Sequence, residues 1–545
     1  MSLEFTRITA APVPSTARQS MVRMRDGVRL ATDVYLPEGD GPVPAVLVRL
    51  PYDKNSRFVF MDTTAERVTA RGYALVVQDV RGKFRSEGAT SAWNGEVNDG
   101  YDSIEWIVNQ EWSDGVVGMF GDSYYGFTQW SAVASQHPAL RAIVPRVTST
   151  GWAPHVMNPG DPSIRRVPWM EGAFYLASHW VDRDTYEYQP DYSTRPLRDA
   201  FEPVFEAIGA RSVAFDLTVP HAIPVDAYGT VHPYDARPVP VLHCVGWYDN
   251  IGSAQMYDYT QLAKRPGWAA VQYLSADSSD HNGISLEGAP LPADHVHSEE
   301  VLDLRMDSYI GPALDFYDVF LKGIKSPDSL PKVSWHLGHV GWRTSEVWPP
   351  KGARTVSLFL SDAQAATGAA PGGTLSKQPD ASSVDWRYDP EALIPSALPM
   401  TWVQLQYHPD ERATADRDDV LLFTAPTRTE PLDLAGPVEL KLDVQSTAPT
   451  FDVLAKLLDV APDGSAHMIV RGDAQGTGHG ELRLDLGHTG YRVRPGHRLA
   501  LVIASSDFPL YVPNSGTDEN PWLATLRKPS TQTLRAGSLS ITVLD

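Results

Sequence analysis

Between Val43 and Val147, short apolar runs recur at intervals that leave room for one helix each, and this rhythm narrows the fold more than any other feature. The runs are Val43–Leu50 (VPAVLVRL), Tyr73–Val80 (YALVVQDV), Val116–Phe120 and Leu140–Val147. Unbroken apolar text of this length belongs to strands buried on both faces. The intervening Met61–Arg71 and Asp99–Gln110 carry helical spacing. A third helix, reaching about Gln136, is ended by His137-Pro138, because proline disfavours helical geometry in the residue before it. Repeated βα units predict a parallel sheet covered by helices. Ahead of them, Met21–Pro37 alternates apolar and polar residues around Asp26-Gly27, the pattern of a hairpin.

Beyond Val147 the text changes twice. From about 150 to 235 it is rich in Trp, Pro and Asp, with helical pieces such as Arg198–Ile208, and reads as an inserted cap. The apolar runs resume at Val239–Val245 and Ala270–Leu274, and a helical stretch, Leu302–Lys322, leads out of the unit. After about 330 short alternating runs divided by Gly, Pro and Asp predict a β-sandwich or jelly roll. They include Thr355–Leu360, Val438–Val444, Phe451–Leu458, Arg498–Ala504 and Leu539–Leu544. Ala363–Ser383 is the most linker-like stretch. The expected division is 1–150 with 235–330 as the α/β unit, 151–234 as a helical cap, and 331–545 as the C-terminal β domain; at 545 residues the chain exceeds what one core supports.

Acidic residues outnumber basic ones 67 to 46, a net charge of −21, so a nucleic-acid partner would meet repulsion. The single cysteine, Cys244, excludes an intramolecular disulfide and any CxxC motif, and reads as a buried strand thiol. The start, MSLEFTRITAAPVPSTARQS, has neither the cationic head nor the apolar run of a secretory signal, and no stretch approaches a membrane span. A cytoplasmic protein without a membrane partner is the expectation. A homo-oligomer is compatible with the sequence, which does not specify the state.

The strongest local signal is Gly118-Met119-Phe120-Gly121-Asp122-Ser123-Tyr124-Tyr125-Gly126, between a strand and a helix. A nucleophile on so sharp a turn needs small neighbours, and Gly121 and Gly126 supply them. The spacing departs from G-x-S-x-G by one residue, and a plain helix cap by Asp122 or Ser123 is the competing reading. A nucleophilic serine needs a base and an orienting acid, and in an α/β-hydrolase sheet these follow in chain order Ser, acid, His on loops after later strands. Val239–Val245 runs into Gly246-Trp247-Tyr248-Asp249, and Ala270–Leu274 runs into Ser275–Asp280 and His281. Asp249 and His281 therefore share the carboxyl edge of the sheet with Ser123. His295 and His297 compete for the base, and Asp277 and Asp280 for the acid.

On these residues the chain resembles the cocaine esterase-like hydrolases, relatives of the X-prolyl dipeptidyl peptidases, α-amino acid ester hydrolases and glutaryl cephalosporin acylases. The matching stretches are RMRDGVRLATDVYLP, Pro51-Tyr52-Asp53-Lys54, Gln78-Asp79-Val80-Arg81-Gly82, VGMFGDSYYGFTQW and GWYD. In the last third RDDVLLFTAP, LAKLLDVAPDG and RPGHRLALVIASSDFP match the jelly-roll domain of that family. The resemblance implies Ser123 as nucleophile, Asp249 and His281 as its partners, and an oxyanion hole made by the Tyr52 hydroxyl and the Tyr124 backbone N–H. Without it Tyr52 is one tyrosine among 22. One departure is the Ser275–Asp280 segment, where many relatives have Gly-Pro-Trp.

The function expected is hydrolysis of a small ester or amide through an acyl-enzyme, with no metal or organic cofactor. An X-Pro dipeptidyl peptidase, a biosynthetic acyltransferase and a non-catalytic binding scaffold are the alternatives. Trp152, Trp169, Phe174 and Trp180 of the cap are candidates for the pocket wall. Gly476–Gly480 is glycine-rich but precedes alternating strand text, so it reads as a β-turn rather than a phosphate loop. Asp182–Asp191 lacks the central glycine of a calcium loop and reads as solvated surface.

Overall fold

In the computed structural model, residues 4–151, 160–221, 223, 225–291, 298–368 and 371–545 are described. The apolar runs become the middle of a ten-stranded sheet. From one edge its order is Gly341–Ser345, Val333–Leu337, Gln272–Asp277, Val241–Gly246, Leu140–Arg146, Ser113–Asp122, Val43–Leu50, Ala74–Asp79, Arg29–Tyr35 and Arg18–Arg23. The strands from Val333–Leu337 to Ala74–Asp79 run parallel, and antiparallel partners close both edges. The sheet thus continues past residue 330, because the chain leaving the long helix Glu299–Phe320 returns to add two strands.

Alternate residues of Val43–Leu50 feed opposite cores. Ala45 and Leu47 pack with Ile104, Phe127 and Trp130 under the helices Glu96–Val108 and Ser123–Ser135. Val46, Val48 and Leu50 pack with Val68, Leu314 and Tyr317 under Met61–Ala70 and Glu299–Phe320. Each such fully buried aliphatic side chain contributes about 1.5–3 kcal/mol of transfer free energy. That double cover explains why these runs do not alternate in sequence. Gly118 has no side chain because the Leu321 and Tyr317 side chains occupy the space, at 2.8 and 3.1 Å from where its Cβ would lie. Cys244 is buried in its strand, and burial pushes its thiol up to about 11.

Between the strands Leu140–Arg146 and Val241–Gly246 lie the helices Met170–His179, Glu202–Ile208 and Val213–Thr218. In the Asp182–Asp191 segment Asp182 accepts from the Asp184 N–H and the Tyr186 hydroxyl and Asp191 from Ser193, while Asp184, rather than being solvated, is buried against Arg7. Lys83, buried beneath them, donates to the carbonyls of His179, Asp182 and Asp184.

The C-terminal region is an eight-stranded β unit that folds back on itself through an extra pairing of Ser530–Leu544 with Leu432–Val460. Here the structure departs from the sequence reading. Val438–Val444 and Phe451–Leu458 are two halves of one bent 29-residue strand. Gly476–Gly480 is not a turn; it lies inside the partner strand Ala466–Val493, opposite the bend. Bulges at Gln445/Thr450 and elsewhere let one strand change direction without breaking its ladder. Gly476 is required because a Cβ there would sit 2.3 Å from the Phe451 ring. Ala363–Ser383 is not a linker either: Gly373–Ser376 pairs with strands on both sides.

Candidate active site

The strand Ser113–Asp122 passes without a loop into the helix Ser123–Ser135, and Ser123 holds φ at 53°, in the left-handed region. Such a conformation costs a non-glycine residue of order 1–3 kcal/mol and persists only where its surroundings impose it. They do so here through close approach. A Cβ on Gly121 would lie 2.0 Å from the Tyr125 ring, and one on Gly126 would lie 2.4 Å from the Thr148 side chain. Gln129 clamps the turn from behind, donating to the carbonyls of Gly121 and Val144 and accepting the Val144 N–H. The Tyr124 side chain points into the core, its hydroxyl donating to Glu96 and accepting from the Trp93 N–H. That leaves the Tyr124 backbone N–H on the site side of the turn.

The Tyr52 hydroxyl meets that N–H. It lies 3.3 Å from the Tyr175 hydroxyl and close enough to the Ser123 side chain and the Tyr124 backbone N–H for both to favour its charged form. Burial pushes the Tyr52 phenol up to about 12, against the opposing pull of those three partners, so it keeps its proton throughout the working pH range. The Tyr52 ring is edged by Phe58, Tyr125 and His179, with Tyr175 tilted against it. Sequence reasoning missed Tyr175 and His179. No local pattern marks them, and only the packing of the helix Met170–His179 brings them to Tyr52.

Asp249 and His281 come together at the ends of adjacent parallel strands. The Asp249 Oδ1 atom accepts from His281 Nδ1 at 2.7 Å, with the Asp249 side chain wholly buried. Burial pulls the His281 pKa down, but the charge and hydrogen bond of Asp249, with Asp122 and Asp280 behind, overcome it and hold the imidazole above its ordinary 6.5. Asp122, next to the nucleophile candidate, is paired with Arg146 at 3.0 Å. The rivals for the acid are occupied elsewhere. Asp280 accepts the N–H groups of Ile284, Leu405 and Gln406, and reaches His281 only through its charge. Asp277 lies in the field of His336. His295 and His297 lie outside the described residues.

Two family models match the chain: "X-Pro dipeptidyl-peptidase (S15 family)" over residues 26–283, and "X-Pro dipeptidyl-peptidase C-terminal non-catalytic domain" over 325–539. The cocaine esterase of Rhodococcus sp. (strain MB1 Bresler) is 30% identical, over 92% of this chain and 93% of its own. The chain belongs to the cocaine esterase-like S15 family. Two solved structures share the fold across the whole length. An aminopeptidase from a marine sediment Thaumarchaeota archaeon superposes with a TM-score of 0.77 at 23% identity, covering 99% of both chains. An α-amino acid ester hydrolase does so at 0.75 and 23%, covering 98% of both. As a member of this cocaine esterase-like family the protein is a serine hydrolase.

The candidate pocket aromatics of this hydrolase separate. Trp169 borders a small cavity of about 40 Å³ that also touches Asp249, Asn250 and Arg471. Phe174 packs on Tyr188, 5.2 Å between ring centres. Trp180 is 1% exposed and lies against the Tyr124 ring, so it props the elbow from the core side and offers no open surface. Trp152 lies outside the described residues. Among the described residues no helix is long and apolar enough to cross a membrane.

Proposed function

We propose that the protein hydrolyses small carboxylic esters through an acyl-enzyme on Ser123. The observation that carries this reading is the approach of the Tyr52 hydroxyl to the Ser123 side chain and the Tyr124 N–H, with the bonded Asp249–His281 pair farther along the same sheet edge. Neutral His281 takes the proton of Ser123 as its oxygen attacks the acyl carbon. Asp249 holds the Nδ1–H and stabilises the imidazolium that forms. The developing oxyanion displaces the contact between Tyr52 and Tyr124 and accepts from both. His281 then passes its proton to the leaving alcohol, and water cleaves the acyl-enzyme by the same steps.

The choice of ester over a substrate with a free amino group rests on what the cap carboxylates do. Among the described residues the two buried ones, Glu171 and Asp184, are engaged already. Glu171 accepts from Thr401 and Asn250, and Asp184 from Arg7. Neither is left to pair with an α-ammonium group. The test is kcat/KM for p-nitrophenyl butyrate against Ala-Pro p-nitroanilide, together with intact mass after a fluorophosphonate. A burst with the ester and a single adduct are expected, with the peptide analogue at least about 100-fold poorer. A preference for the peptide analogue would reassign the specificity, and no adduct in folded protein would remove the acyl-enzyme.

Two further outcomes are expected from this chemistry. Tyr52→Phe removes one of two oxyanion donors and should lower kcat by about 10²–10³-fold, with KM little changed, measured by steady-state ester hydrolysis. The base acts only when neutral, and Asp249 holds His281 above 6.5. The kcat/KM profile should therefore fall on the acid side with a midpoint above pH 6.5. A profile flat from about pH 5 to 9 would exclude His281 as the base.

A further inference from the structure

Among the described residues the Asp249 carboxylate has one side-chain partner, His281, which bonds its Oδ1 atom. Its own backbone is held in a turn, Asp249 donating to Gly246 O at 3.2 Å and Gly252 to Asp249 O at 3.1 Å. On the sheet side that backbone is fixed: Trp247 donates to Asp277 O at 2.8 Å and Tyr248 to Ser279 O at 3.0 Å. On the far side the next residue, Asn250, donates through Nδ2 to Glu171 Oε1 at 2.9 Å. Glu171 sits at the start of the helix Met170–His179, whose Tyr175 touches Tyr52. Both Glu171 oxygens also reach the C-terminal domain, one accepting the Thr401 N–H at 2.7 Å and the other the Thr401 hydroxyl. Arg471 closes the chain by donating to the Thr401 carbonyl at 2.9 Å. Glu171 is buried among groups from three parts of the fold, where an unpaired carboxylate would be costly, so this junction exists only when all three are docked.

We propose that Asn250 and Glu171 are positioning residues for Asp249, and that through them the cap helix and the C-terminal domain set the geometry of the acid–base pair. The inference rests on the reading of Asp249 and His281 as that pair. Docking of the β domain then acts on chemistry directly, through Thr401, Glu171 and Asn250, rather than only by covering the site.

The test compares Asn250→Ala with Glu171→Gln in the full-length protein. Asn250→Ala cuts the link while leaving Glu171 bonded to Thr401. With Asp249 less well held, kcat for p-nitrophenyl butyrate should fall by about tenfold or more and KM stay within about twofold, because small misplacements of a reacting pair are expensive in rate. The acid limb of kcat/KM should also move to lower pH, since Asp249 supplies the charge that lifts His281 against burial. The other charges around His281, which are Asp122 with Arg146, Asp280 and Arg305, are untouched by either substitution. Glu171→Gln preserves the link, because Asn250 can turn its amide and offer Oδ1 to the new NH2 group. It should stay within about threefold of the parent at an unmoved acid limb. Parental kcat in Asn250→Ala, a fall in kcat with the limb unmoved, or equal damage from Glu171→Gln would each overturn the proposal. A parent that fails to take the fluorophosphonate overturns the underlying triad instead, so the two failures are told apart.

Discussion

Ser123→Ala should lower kcat toward p-nitrophenyl acetate and butyrate by about 10⁶-fold and abolish both the burst and the fluorophosphonate adduct. The size follows from how the parts cooperate. Without the hydroxyl there is no covalent intermediate for His281 and Asp249 to serve, and what remains is the about 10³–10⁴-fold advantage over water that binding and the oxyanion donors provide alone. The variant should fold like the parent, because alanine keeps the Cβ and the elbow is held by Gly121, Gly126 and Gln129 rather than by the Ser123 oxygen. Matching thermal unfolding curves together with lost activity is the expected pair of results. Activity within about tenfold of the parent would place the nucleophile elsewhere.

Asp249→Ala should cost about 10⁴-fold in kcat, less than loss of the nucleophile because His281 remains as a base, though unoriented and without a stabilised imidazolium. Its signature is in the pH profile. The pKa of His281 is a contest between burial, which lowers it, and the charge and hydrogen bond of Asp249, which raise it. Removing the carboxylate leaves burial opposed only by Asp122 and Asp280 farther off, so the residual activity should keep its acid limb at a pH below that of the parent. An unmoved limb would show that another group titrates there. The Asp249 side chain is wholly buried, so the small unfilled volume behind it should cost about 1–3 kcal/mol of stability, read as a lowered Tm with folding retained.

Much of this site was legible because its main parts are local. A strand that must end in a tight turn, a serine on that turn and glycines on either side of it are dictated within six residues, by sterics that any reader of the sequence can apply. Asp249 and His281 were legible for a different reason: parallel strands deliver their following loops to one edge, so position after an apolar run is enough. Tyr52 was visible only through family resemblance, since no local constraint marks a tyrosine after Pro51. Tyr175 and the Asn250–Glu171–Thr401 junction were not legible. Their partners lie 79, 123 and 230 residues apart, and hydrogen bonds of that range leave no period in the text.

The C-terminal domain shows the same limit on a larger scale. Alternating polarity marked Val438–Val444 and Phe451–Leu458 as strands, because alternation reports which face is buried. It carries no record of whether two such runs are separate strands or one strand bent by a bulge, which depends on whether the partner chain bends with them. Likewise the glycines at 476–480 suggest a turn by their conformational freedom, whereas the Phe451 ring lying against Gly476 is what excludes a side chain there. The βα order, the doubly covered sheet and the elbow that presents Ser123 follow from local sterics and burial period alone. Only the packed fold brings Tyr52, Tyr175 and the Asn250–Glu171–Thr401 contacts together, because groups from the sheet edge, the cap helix and the C-terminal region meet at one buried carboxylate.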